Sequence, residues 1–132
     1  MEQLDHNNCV GLRFTTVYGP GARKNMLIPK ILNNNLQYIN VNHVRDFIHV
    51  NDVVNAVEVI MNTTFRGVVD VGTGISNKLV DIVDYFKIDY KSVMGDETER
   101  LDNTADTSIL NKFGWRAKIN LYNYIEENRN VN

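Results

Sequence analysis

Arg45, followed by Asp46-Phe47-Ile48-His49, is the residue with the most specific chemistry in the chain. A guanidinium presents planar, paired donors that suit phosphate oxygens. The alternative is a surface ion pair with Asp46 or another carboxylate. Gly72-Thr73-Gly74, after an apolar run, hints at a dinucleotide loop. Asn77 stands where that fingerprint needs its third glycine, so the segment reads as a turn. No other Gly-x-Gly-x-x-Gly run occurs. None of Tyr18, Tyr38, Tyr85, Tyr90, Tyr122 and Tyr124 has lysine four residues later. His6, His43 and His49 lack metal-ligand spacing with one another or with Cys9, so no metal site is expected. His49 reads as structural, at the end of a strand. Cys9, in Cys9-Val10-Gly11-Leu12, reads as an inert, buried strand thiol.

These residues must be positioned by a small framework. The 132 residues suit one domain, 1–132, with 43% hydrophobic and 23% charged residues. Fourteen Lys and Arg against 16 Asp and Glu give a net charge of −2, which argues against nucleic acid as a partner. A single cysteine fits a reducing cytoplasm. No apolar run is long enough to span a membrane, and the polar N-terminus has no signal-peptide pattern.

The apolar and β-branched run from Cys9 to Val17 predicts a strand, ended by Tyr18-Gly19-Pro20-Gly21. Met26 to Leu32 predicts a helix with Pro29 in its first turn. Short strands are expected over Leu36–Val41 and Asp46–Val50. The clearest helix runs from Asn51 or Asp52 to Asn62, with Asn51 as cap and Val53, Val57 and Ile60 inward, joined by Val54 and Met61. Gly67–Val71 predicts a strand buried on both faces. A helix capped by Ser76 or Asn77 follows, with Leu79, Ile82, Val83 and Phe86 inward. Asp89–Met94 is a further strand, Gly95–Asn103 a charged loop, and Thr107–Phe113 and Leu121–Asn128 short helices. The alternation gives an α/β fold.

Four pieces in this order carry a resemblance. They are Gly11-Leu12-Arg13-Phe14-Thr15-Thr16-Val17-Tyr18-Gly19-Pro20; Arg45-Asp46-Phe47 through Val54; Val69-Asp70-Val71-Gly72-Thr73-Gly74; and Thr104-Ala105-Asp106-Thr107-Ser108 ahead of Phe113-Gly114-Trp115. Together they resemble the C-terminal, nucleotide-sugar-binding portion of extended short-chain dehydrogenase/reductases, the NAD-dependent epimerases and dehydratases. The run from Phe14 to Pro20 with Arg23 is most similar to UDP-glucose and UDP-glucuronate 4-epimerases.

The resemblance implies that Arg45 grips the diphosphate of a nucleotide sugar. It implies that the hydroxyl of Thr16 helps to hold a carboxylate; the plain alternative is a β-branched strand residue. Arg23 faces the substrate in the similar branch, or is a solvated loop residue. Phe14 matches an aromatic near the nicotinamide, though as a strand residue it reads as core. In Asp96-Glu97-Thr98-Glu99-Arg100-Leu101-Asp102 the family's Arg or Gln followed by Asp is replaced by Asp96 and Glu99, with Arg100 shifted. Glu99 could accept ribose hydroxyls and Arg100 reach phosphate, or the loop is simply solvated.

The family's Tyr-x-x-x-Lys proton-transfer pair and glycine-rich loop are not in this sequence. The resemblance therefore implies a truncated, substrate-binding part of a Rossmann-type enzyme, not competent alone. NAD belongs to the full-length relatives and is not expected to bind this chain tightly. A UDP-sugar is the preferred ligand. The last sheet strands would leave an open edge, so a homo-oligomer, or a missing Rossmann half, is expected as partner. The other readings are a non-catalytic nucleotide-sugar module, one subunit of a split epimerase, or a relic with no ligand.

Overall fold

The computed structural model describes residues 9–93 and 103–129. The expected strand from Cys9 to Val17 is two strands, β1 (Val10–Phe14) and β2 (Thr16–Tyr18). The break at Thr15 is a change of partner. The Thr15 amide donates to Val71 O at 3.1 Å, and the next amide, Thr16, donates to Asp46 O at 3.0 Å. The chain continues through α1 (Leu27–Leu32), β3 (Tyr38–Asn40), β4 (Val44–Arg45), β5 (Phe47–His49) and α2 (Val50–Met61). Then follow β6 (Gly67–Val71), β7 (Asn77–Lys78), α3 (Leu79–Tyr85), β8 (Lys91–Val93), α4 (Ser108–Lys112) and α5 (Leu121–Asn128).

Three parallel pairs, β1–β6, β2–β5 and β3–β8, and one antiparallel pair, β4–β7, confirm the α/β class. Among the described residues β1 pairs on one side only. Strand β5 divides the core by the two-residue period of strands. Phe47 packs with Tyr18, Ile31, Ile82 and Ile125, while Ile48 packs with Ala56, Val69, Val71, Leu110 and Trp115.

Several expectations are corrected. Helix α2 is capped by His49, whose Nδ1 accepts from the Asn51 amide at 3.0 Å, and not by Asn51. Its buried face is Asp52, Ala56 and Ile60, while Val54 and Met61 are exposed. Burial of Asp52 rotates the helix: its Oδ2 accepts the Lys118 and Ile119 amides at 3.1 and 3.0 Å, and the helix turns to meet them. Strand β6 buries Val69 and Val71 but exposes Val68, so one face is dry. Lys78, and not Ser76 or Asn77, occupies the N-cap of α3, and Asn77 is spent on β7. Cys9 is only half-buried, just ahead of β1. No helix among the described residues is long and apolar enough to cross a membrane.

Candidate functional site

The Arg45-Asp46-Phe47 segment links β4 to β5, and its three side chains go to three places. Phe47 enters the core. Asp46, fully buried, is a clamp. Its Oδ1 accepts the Thr73 amide at 3.0 Å and the Thr73 hydroxyl at 2.5 Å. Its Oδ2 accepts the Gly74 amide at 2.8 Å and the Ala105 amide at 3.1 Å. A buried carboxylate is tolerated only when saturated in this way. Gly72 makes the clamp possible, since a Cβ there would lie 2.7 Å from Ala105 Cβ and 2.8 Å from Asp46 Oδ2.

Arg45, half-buried, donates to Val44 O at 2.8 Å and lies 3.4 Å from His43 Nδ1. Arg45 and Thr16 line one cavity of about 130 Å³ with Tyr18, Ala22, Met26 and Phe47. Thr16 reaches it because β2 lies beside β5, in the register Thr16↔Phe47. The Tyr18 hydroxyl is buried with no hydrogen-bond partner among the described residues. Burial, then the charge of Asp52 and the neighbouring Tyr124, raise its pKa, so the phenol stays protonated. Its ring packs edge-on against His49 and Tyr124 at centroid distances of 5.2 and 5.1 Å.

Arg23 is exposed and does not line this cavity, although Ala22 and Met26 on either side do. Phe14, expected in the core, is 51% exposed at the end of β1. It borders a separate cavity of about 170 Å³ with Arg13, Thr15, Asp70, Asn103 and Thr104. Asp96, Glu99 and Arg100 lie outside the described residues. The structure thus brings Thr16 and Arg45 together and sets Phe14 apart.

The sequence reading passed over Asp46 as a clamp and Asn103 altogether. Asn103 Oδ1 accepts the Asp46 amide at 2.9 Å, and its Nδ2 donates to Thr16 Oγ1 at 3.1 Å. A signal for Asp46 was available: an ionisable residue directly before the apolar pair Phe47-Ile48 must find partners. Asn103 has no such local signal.

A dinucleotide requires a turn whose free amides can hold its pyrophosphate. Gly72-Thr73-Gly74 does not fit, because the Thr73 and Gly74 amides are both committed to Asp46. Phe14 could meet only a ring. Among the described residues no group of three metal-ligating side chains forms.

Comparison with known proteins agrees with this architecture. Residues 2–72 match the model of the NAD dependent epimerase/dehydratase family. A CDP-abequose synthase of Salmonella muenchen is 29% identical over 128 residues, covering 85% of this chain and 44% of the relative. Among solved structures, MoeE5 in complex with UDP-glucose and NAD is 26% identical with a TM-score of 0.73, covering 90% of this chain and 45% of that one. The UDP-N-acetylglucosamine 4-epimerase from Methanobrevibacter ruminantium M1, in complex with UDP-N-acetylmuramic acid, is also 26% identical, with a TM-score of 0.71 over 90% of this chain and 43% of its own. The chain spans about half the length of the curated relatives that it matches.

Proposed function

Since the chain belongs to the NAD dependent epimerase/dehydratase family, we propose that it forms the nucleotide-sugar-binding part of such an enzyme, with Arg45 on the diphosphate and Thr16 beside it. The observation that carries this is the convergence on one cavity of Thr16, in β2, and Arg45, which ends β4 two residues before Phe47, the parallel partner of Thr16. Arg45 supplies the charge-assisted donors, and Thr16 a hydroxyl. Similarity to proteins solved with UDP-glucose and UDP-N-acetylmuramic acid supports a UDP-sugar as ligand. Arg23 is proposed to face the substrate, Glu99 to accept ribose hydroxyls, Arg100 to meet phosphate, and Phe14 to offer a face for the nicotinamide.

Epimerisation or dehydration needs a bound dinucleotide and a proton-transfer pair. This chain has no Tyr-x-x-x-Lys, and its one candidate turn is filled by Asp46. The second reading is a non-catalytic binding module or one subunit of a split enzyme. Both readings give the chain the sugar and leave the redox step to other residues.

Calorimetric titration with UDP, UDP-glucuronate and NAD, repeated on Arg45→Ala, tests the proposal. UDP ligands should bind, and the substitution should weaken them about tenfold to a hundredfold, the worth of a hydrogen bond to a charged group. Binding that is indifferent to Arg45 would refute the assignment.

A further inference from the structure

The Asn103 amide is oriented without ambiguity. The Asp46 backbone N–H can only donate, so the Asn103 atom 2.9 Å from it is the oxygen. The other end, facing Thr16 Oγ1 at 3.1 Å, is then the NH2 group. Thr16 Oγ1 therefore accepts from Asn103, and its own proton has no acceptor among the described residues. A hydroxyl that already accepts on one side is left to donate on the other. Thr16 is also a lining residue of the cavity that Arg45 borders.

We propose that Asn103 is a positioning residue: by donating to Thr16 it fixes that hydroxyl as a donor toward an anionic oxygen of the ligand. The inference rests on the nucleotide-sugar reading of the cavity and adds a device to it. Asn103 also borders the Phe14 cavity, so the Asn103–Thr16 bond stands between the two cavities. The anionic oxygen belongs to phosphate or to a sugar carboxylate, and both accept the same donor.

A double-mutant cycle separates positioning from simple structural support. Affinity is measured by calorimetry for UDP, UDP-glucose and UDP-glucuronate on the wild type, Asn103→Ala, Thr16→Val and the double variant, with Arg45→Ala as control. Thr16→Val should weaken the anionic ligand about tenfold or more, the worth of a hydrogen bond to a charged group. Asn103→Ala should do the same in the wild-type background and add nothing once Thr16 is Val. Thr16→Ser should restore the coupling. If Asn103→Ala does not fold, Asn103→Asp serves in its place. It still accepts the Asp46 amide, but it draws the Thr16 proton to itself, and its charge effect cancels in the cycle. A loss seen with UDP alone assigns the acceptor to phosphate, and one seen only with UDP-glucuronate assigns it to the carboxylate. Losses that multiply independently overturn the positioning role while Arg45 dependence keeps the binding reading intact. Absence of binding, or binding indifferent to Arg45, overturns the binding reading and this inference with it.

Discussion

Replacing Asp46 by asparagine changes one atom in a clamp that joins three segments. The amide can be turned two ways, and the partners decide between them. With nitrogen at the Oδ2 position it would face the Gly74 and Ala105 amides, two donors that cannot reverse. With nitrogen at the Oδ1 position it faces the Thr73 amide and the Thr73 hydroxyl. Thr73 Oγ1 already accepts the Ile75 amide and has a second lone pair for the new N–H, so the Thr73 amide is orphaned and the hydroxyl proton is displaced. The second orientation wins. Its cost is one lost bond to a charged group plus one unpaired buried N–H, about 2.5–6 kcal/mol in all. For a domain of this size each kcal/mol lowers the melting temperature by about 4 °C, so Asp46→Asn should melt about 10–20 °C below wild type. Asp46→Ala loses all four bonds and leaves a void, and should approach the whole stability of a typical domain, about 5–15 kcal/mol. Thermal melts followed by circular dichroism read both. An asparagine variant that melts within about 2 °C of wild type would show that the carboxylate charge is dispensable and that the clamp does not hold these segments.

Further outcomes follow from single sites. Gly72→Ala should destabilise by about 1–3 kcal/mol, because its Cβ would press on Ala105, Thr15 and Asp46; urea unfolding with an unchanged m-value checks it. Burial holds His49 below the ordinary imidazole pKa, with the charge of Asp52 opposing only in part. The unfolded chain therefore binds the proton more readily, and stability should fall as pH drops from about 7.5 to about 5.5. Protonation also removes the Nδ1 acceptor that caps α2. His49→Asn, which keeps a capping acceptor but cannot titrate, should flatten the slope of melting temperature against pH. Phe14→Ser should leave stability within about 0.5 kcal/mol, since the ring is half in solvent; a larger loss would place Phe14 in a core after all.

Elements with strong local signals were legible in the sequence. The β-branched run of β6 and the apolar spacing of α5 were expected over the residues they occupy. Periodicity failed where a polar contact from far along the chain took over. Asp52 turns α2 so that Ala56, and not Val54 or Met61, is inward, because the Lys118 and Ile119 amides need an acceptor. Thr15 breaks an apolar run that looks continuous, because the strand changes partner there. The pairing of Thr16 with Arg45 came from motif resemblance, and the structure supplies the shared cavity. Asn103 was invisible, since its partners lie 57 and 87 residues away.

The Arg-Asp-Phe segment shows why binding and folding are hard to separate here. Arg45 borders the cavity, Asp46 saturates the turn at Thr73-Gly74 and the Ala105 amide, and Phe47 seals the core. The Asp46 amide then holds Asn103, which holds Thr16. A shift of β5 by one residue would exchange the inward and outward side chains and undo all these contacts together. Low stability at this segment would therefore appear as lost ligand affinity before it appeared as a lost contact. For that reason Arg45→Ala, which leaves the carboxylate bonds of Asp46 in place, is the cleaner probe of binding. Asp46 variants report on the frame. If Arg45→Ala lowered the melting temperature as much as Asp46→Asn, the guanidinium would be part of that frame, and its effect on affinity could not be ascribed to phosphate.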